Sequence, residues 1–108
     1  MKYIKTFSDN VPVSRVALGC MRIGNMSNAQ ADNYLMNAIE YGFNYFDHAD
    51  IYGGGRCEEV FGAALKRNKG VREKIVIQTK CSIRKGMYDF SKEHIINSVD
   101  CALKRLGV

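Results

Sequence analysis

The stretch of sequence that decides the fold covers residues 43–55 and reads FNYFDHADIYGGG. Its first part, Phe43–Phe46, is a short apolar run typical of a β-strand, and Asp47 follows it directly. The glycines at its end favour a tight turn. Apolar residues at helical spacing come next: Val60, Phe61, Ala64 and Leu65. A strand, a turn and a helix in this order predict one unit of an α/β fold.

The residues before this stretch predict a second unit of the same kind. Val16–Cys20 is a short apolar run, and Ser27 and Gln30 have the S-x-x-Q spacing of a capping box that opens a helix. Gly42 is placed to end that helix in the left-handed conformation. The predicted apolar stripe of the helix consists of Ala31, Leu35, Ala38 and Ile39.

A third unit follows, and a hairpin precedes all three. Lys74–Lys80 predicts a strand, and Ser91 and Gly107 predict the start and end of the last helix. The apolar stripe of that helix is predicted to contain Ile95, Val99, Ala102, Leu103 and Leu106. At the N-terminus, Tyr3–Phe7 and Val11–Arg15 predict a hairpin that turns at Asp9 and Asn10.

The predicted fold class is therefore α/β, with a β-hairpin and three strand-helix units in one domain, residues 1–108. Right-handed crossovers make the strands parallel and ordered as in the sequence. The alternation alone leaves open whether the sheet is an open doubly wound sheet or part of a closed barrel. A complete barrel typically needs roughly 250 residues, and this chain has 108.

Composition excludes several classes of protein. The 46% apolar and 25% charged residues describe a globular domain. No apolar run approaches the roughly 20 residues that span a bilayer, and Met1–Ile4 does not begin a signal peptide, so a cytoplasmic location is expected. The net charge of +5 is spread along the chain, and Lys66–Arg72 is interpreted as a solvated helix end, not a nucleic-acid site. The four cysteines form no C-x-x-C pair, which predicts reduced thiols and no metal site.

Ionisable residues follow two of the predicted strands. Asp47 and Lys80 stand at equivalent ends of neighbouring parallel strands, so an ion pair between them is expected. Tyr52 lies on the loop that follows Asp47, and a nearby ammonium would favour its phenolate form. The arrangement is compatible with two hypotheses: a tyrosine tuned as a general acid, and a structural salt bridge covered by a loop tyrosine.

These residues resemble the aldo-keto reductase family. Residues 47–53 together with Glu58 and Gly62 are similar to its D-x-A-x-x-Y-G signature, and Ile77–Lys80 resembles the strand that carries its lysine. The form with D-H-A-D-I-Y-G-G is closest to bacterial oxidoreductases of the family. The resemblance implies that the fold is the N-terminal part of a (β/α)₈ TIM barrel, and that Tyr52, Lys80 and Asp47 are catalytic.

The resemblance further implies NADPH as the cofactor and a small-molecule aldehyde or ketone as the substrate. Gly19, Cys20, Met21 and Asp47 would contact the cofactor, while most of its site would lie on later strands. Gly53–Arg56 lacks the spacing of a phosphate-binding P-loop. A catalytic histidine of the family follows a segment like residues 106–108, where this sequence stops. Neither His48, interpreted as a hydrogen-bonded motif residue, nor His94, placed in the first turn of the last helix, matches it.

The alternative hypothesis is a protein without turnover, either a truncated paralogue or an interaction module like the channel-associated relatives of this family. Under the leading hypothesis the chain is a fragment whose sheet is open. It would leave apolar faces such as those of Phe46 and Ile77 uncovered, associate through the open sheet edge and lack activity on its own.

Overall fold

Three parallel strands form the sheet at the centre of the computed structural model, which describes residues 1–6 and 11–108. They are β3 (Leu18–Gly19), β4 (Tyr45–Asp47) and β5 (Val76–Gln78), hydrogen-bonded in the order β3-β4-β5. In the register, Gly19 lies opposite Asp47, and Asp47 lies opposite Gln78. The predicted parallel order is confirmed, although each strand is shorter than the apolar run that predicted it.

Three helices connect or follow these strands: α1 (Asn28–Glu40), α2 (Arg56–Arg67) and α3 (Lys92–Leu106). The capping box of α1 is complete, because Ser27 Oγ accepts from the Gln30 amide at 3.2 Å and Gln30 Oε1 accepts from the Ser27 amide at 2.9 Å. Gly42 has φ +86°, as predicted for the residue that ends α1. Likewise, α3 is capped by Ser91 and ended by Gly107 in the left-handed region.

Two antiparallel hairpins accompany the sheet. The first pairs β1 (Tyr3–Ile4) with β2 (Val13–Ser14), which confirms the N-terminal hairpin, while the turn predicted at Asp9 and Asn10 lies outside the described residues. The second pairs β6 (Ile83–Arg84) with β7 (Met87–Tyr88), between β5 and α3. The sequence did not predict it, because strands of two residues are too short for a pattern of alternation to be recognised.

The hydrophobic core lies between the sheet and the helices. Phe46 is fully buried there, with its ring centroid 5.0 Å from that of Phe61 on α2, and Ile77 packs against the same cluster. The expectation of an uncovered Phe46 is therefore wrong. Successive side chains of a strand point to opposite faces, so Phe46 faces the helices while its neighbours Tyr45 and Asp47 face the other side.

The predicted apolar stripe of α3 is only partly buried. Ala102 and Leu106 are 4% and 3% exposed, since this part of α3 packs against α2. Ile95, Val99 and Leu103 remain 38%, 47% and 44% exposed. Within the described part of the chain, this side of α3 is left uncovered.

One charged residue in the segment predicted to be a solvated helix end also connects two helices. Arg67 is exposed, and its Nη2 lies 2.8 Å from Oδ1 of Asp32, which links α2 to α1. The guanidinium of Arg67 holds the pKa of Asp32 below its ordinary value.

Among the described residues, no helix combines the length and the hydrophobicity that a membrane-spanning segment needs.

Gly62 sets the distance between α2 and α3, and it gives the first testable prediction. A Cβ at this position would lie 2.5 Å from the carbonyl oxygen of Arg105 and 2.6 Å from that of Leu106. Both atoms belong to the backbone and cannot rotate away, so Gly62→Ala should lower the free energy of unfolding by about 1–3 kcal/mol in urea titrations. The opposite sign is the ordinary result of replacing glycine by alanine inside a helix, so a stabilised variant would contradict the prediction. Ala63→Val, at the exposed neighbouring position, is the control.

Candidate active site

Asp47 and Lys80 form an ion pair at the carboxyl end of the sheet. Lys80 Nζ lies 2.6 Å from Asp47 Oδ1 and donates a second hydrogen bond, of 2.8 Å, to the carbonyl oxygen of His48. The strands β4 and β5 are parallel and in direct register, so the residues that follow them meet at one edge. The predicted juxtaposition of Asp47 and Lys80 is confirmed.

Tyr52 lies next to this ion pair. It begins a 3₁₀ turn, Tyr52–Gly55, in which the three glycines have φ values of +59°, +64° and +96°. Lys80 Nζ is 5.2 Å from the centroid of the Tyr52 ring. Burial lowers the pKa of Lys80, but hydrogen bonds with Asp47 and Tyr52 and the charges of both outweigh it, so the pKa is raised above its ordinary value. The glycines thus permit the tight turn that brings the phenol to the ammonium.

Gln78 completes the polar cluster, although it is not among the site residues predicted from the sequence. Its Nε2 donates to Asp47 Oδ1 at 2.6 Å, and its Oε1 accepts from the hydroxyl of Tyr45. A signal was present in the sequence, because Gln78 and Lys80 are two residues apart on a strand and therefore share a face. Asp47 consequently accepts hydrogen bonds from both an amide and an ammonium.

Three of the residues expected to contact a cofactor, Gly19, Cys20 and Met21, lie at the end of β3, and they differ in how accessible they are. Gly19 lies opposite Asp47, and a Cβ on it would meet no atom within 4 Å, while Met21 is 55% exposed. Cys20 is fully buried, its Sγ is 3.6 Å from the Leu18 carbonyl oxygen, and burial raises the pKa of its thiol to about 12. The Cys20 amide donates to the carbonyl of Asp47. Of these three residues, Gly19 and Met21 therefore offer an open surface and Cys20 does not.

His48 does not have the environment that the sequence predicted. Its ring is fully buried and packs edge-on against Phe61, with centroids 4.6 Å apart. Neither ring nitrogen has a hydrogen-bond partner among the described residues, so the interpretation as a hydrogen-bonded side chain is wrong. The reason is alternation along the strand, which directs His48 towards α2 and away from Asp47 and Lys80. His94 lies in the first turn of α3, as predicted, and its Nε2 is 3.3 Å from Ser98 Oγ.

The burial of His48 predicts a loss of stability in mild acid. Burial lowers the pKa of His48 to about 4, from an ordinary value of 6.5, because the charged ring is poorly solvated there. The unfolded chain therefore binds a proton below about pH 6.5 that the folded chain binds only near pH 4, and stability falls as pH falls through this window. The loss at the acid end should be about 3 kcal/mol.

Thermal melts between pH 7.5 and 4.5 measure this loss. His48→Leu is the matched control, since it keeps an apolar side chain against Phe61 and cannot titrate, while His94 remains in both proteins. The variant should lose most of the pH dependence across this window. Identical slopes for the variant and the wild type would show that other groups cause the acid sensitivity.

The cysteines are all free thiols, Cys20 and Cys57 being buried and Cys81 and Cys101 partly buried. In the part of the chain that the structure describes, no group of three or more histidine, cysteine or acidic residues is arranged to hold a metal ion. The side chains that meet at this edge of the sheet are a carboxylate, an ammonium, a phenol and the amide of Gln78.

Known proteins share this arrangement of strands and helices. An aldo-keto reductase from Bacillus halodurans, solved in its holo form, superposes with a TM-score of 0.77 at 33% identity, covering 94% of this chain and 35% of that one. An uncharacterised oxidoreductase of Bacillus subtilis is 39% identical over 111 residues, covering 92% of this chain and 37% of its own length. A 6-dehydroglucose reductase of Agrobacterium fabrum is 35% identical, covering 93% of this chain and 38% of its own length.

The chain thus spans little more than a third of these relatives, and it corresponds to the N-terminal part of their TIM barrels. The model of the aldo/keto reductase family matches residues 15–108, which include every strand of the central sheet and the whole Asp47, Tyr52 and Lys80 cluster. The chain therefore belongs to the aldo/keto reductase family.

Proposed function

We propose that this chain carries the proton-donating part of an NADPH-dependent reductase of small aldehydes or ketones. The observation that carries the proposal is the cluster of Asp47, Tyr52 and Lys80 at the carboxyl end of the parallel strands. In barrels of this type, the catalytic residues gather at that end. A polar cluster that served only to stabilise the fold would not need a phenol beside the ammonium.

Tyr52 is the proposed general acid. Its hydroxyl would donate a proton to the carbonyl oxygen of the substrate while hydride reaches the carbonyl carbon, so that the products are an alcohol and a phenolate. The Lys80 ammonium, 5.2 Å from the ring centroid, stabilises that phenolate electrostatically. Asp47 and the carbonyl oxygen of His48 hold Lys80 Nζ at 2.6 and 2.8 Å, so the charge stays close to the phenol.

We place a flat cofactor ring against the residues at the end of β3. Gly19 presents open main chain opposite Asp47, and Met21 presents an exposed, flexible thioether. Bound there, a reduced nicotinamide would supply the hydride. Cys20 would contribute through its main chain only, since its thiol lies in the core. The choice of NADPH as the cofactor comes from the resemblance, which assigns the remainder of the cofactor site to later strands.

A chimeric protein tests the proposal. This chain would replace the matching segment of the 6-dehydroglucose reductase of Agrobacterium fabrum, which is 35% identical to it. The chimera should oxidise NADPH in the presence of that enzyme's substrate, as followed by absorbance, and should quench nicotinamide fluorescence on binding. A folded chimera that binds NADPH without turnover would favour the alternative, a member of the family that acts as an interaction module.

A further inference from the structure

Among the described acidic residues, Glu58 is the most completely buried, and both of its carboxylate oxygens accept hydrogen bonds. The residue is 0% exposed although it is charged. Its Oε1 accepts a hydrogen bond of 2.6 Å from Thr79 Oγ1, and its Oε2 accepts one of 2.6 Å from Arg105 Nε. Loss of these partners would leave a buried carboxylate unpaired, which is strongly destabilising. The side chains of Glu58, Thr79 and Arg105 are therefore held in fixed positions relative to one another.

The positions of these three residues in the fold connect them to the site. Glu58 lies in the first turn of α2, directly after the turn that begins with Tyr52. Thr79 immediately precedes Lys80. Because side chains alternate along an extended segment, Thr79 points to the helix side while Lys80 points to Asp47 on the other side. Glu58 thus joins the segment that carries the phenol to the segment that carries the ammonium.

Gly55 makes room for the third partner. Its φ of +96° strains any other residue, and a Cβ on it would lie 3.0 Å from Cδ of Arg105 and 3.2 Å from its Nε. The guanidinium therefore crosses the end of the glycine turn on its way to Glu58. The last of the three glycines is required for this passage as well as for the turn itself.

We propose that Glu58 is a positioning residue, which holds Lys80 against Asp47 and Tyr52 through its hydrogen bond to Thr79 and is itself held by Arg105. The inference rests on the proposed function in taking Lys80 to be part of the catalytic site. What the inference predicts is the position of the Lys80 ammonium, and that position can be tested without measuring turnover.

Thr79→Val tests the link, since it removes the hydroxyl, keeps the shape of the side chain and leaves the charges of Glu58 and Arg105 in place. If the variant releases Lys80 from Asp47, Lys80 should lose the hydrogen bonds that raise its pKa. A larger fraction of the Lys80 side chain should then be unprotonated amine at a given pH. A brief pulse of acetic anhydride on the whole chain at micromolar concentration, followed by peptide mass spectrometry, measures the acylation rate of each lysine. Lys80 in the variant should react about threefold faster, which corresponds to half a pKa unit.

The controls separate positioning from a general loss of structure. Thr79→Ser retains the hydroxyl and should react like the wild type, while Lys66, far along α2, should keep its rate in every variant. Asp32→Asn breaks a different ion pair of α2, the one that Arg67 makes with Asp32 on α1, and should leave Lys80 unchanged. An unchanged Lys80 rate in a folded Thr79→Val protein would overturn the proposal, and so would a rise shared by all lysines. A failure of the chimera to reduce carbonyls would leave these rates as they are, so the two proposals fail independently.

Discussion

Replacing Tyr52 by phenylalanine in the chimeric barrel is expected to reduce carbonyl turnover by about 10²–10⁴-fold, the usual contribution of a positioned general acid. The ring of Tyr52 and its packing against the core would remain, since only the hydroxyl is removed. NADPH binding, measured by fluorescence quenching, should therefore stay within a factor of about two, because the loss occurs in the transition state and not in the ground state.

Two further variants make this result specific. Tyr41→Phe removes a hydroxyl from a residue that is 74% exposed at the end of α1, so it should leave turnover unchanged. Lys80→Met should reduce turnover in the same direction as Tyr52→Phe, since the phenolate loses the ammonium that stabilises it. A Tyr52→Phe chimera with unimpaired turnover would make Tyr52 a structural residue of the loop.

Local patterns in the sequence were sufficient to predict most of the fold. The capping box at Ser27 and Gln30, the stop at Gly42 and the helical spacing of the apolar residues in α2 are each determined by residues a few positions apart. The ion pair between Asp47 and Lys80 could also be predicted, because parallel strands in register bring their carboxyl ends together.

Contacts between distant residues could not be predicted in this way. The hydrogen bond from Arg105 to Glu58 joins residues 47 positions apart, and nothing in the sequence near either residue indicates the other. The burial of His48 without a hydrogen bond depends on the packing of Phe61 from a different element. The exposed stripe of α3 likewise has ordinary amphipathic spacing, and the spacing alone does not say whether another element covers it.

The chain by itself is expected to self-associate and to show no measurable NADPH oxidation. Ile95, Val99 and Leu103 on α3 are 38–47% exposed, and β5 pairs on one side only within the described residues. Exposed apolar stripes and unpaired strand edges both favour association. On the opposite face of the sheet, the carboxyl end carries Asp47 with its polar hydrogen-bond partners, so that end should contribute little to association.

The expected absence of activity follows from what a general acid requires. Under the proposed function, Tyr52 would lower the barrier only when a hydride donor is held beside it, and the chain covers just 35–38% of the three relatives described above. Sedimentation velocity at several concentrations tests the predicted self-association. The absorbance of NADPH in the presence of an aldehyde tests the predicted lack of oxidation. Replacing Val99 and Leu103 by lysine should weaken association, because it charges the exposed side of α3 while Ala102 and Leu106 still pack on α2. A monodisperse wild-type monomer that oxidised NADPH would refute the prediction, because it would mean that a third of the barrel both binds the cofactor and positions it.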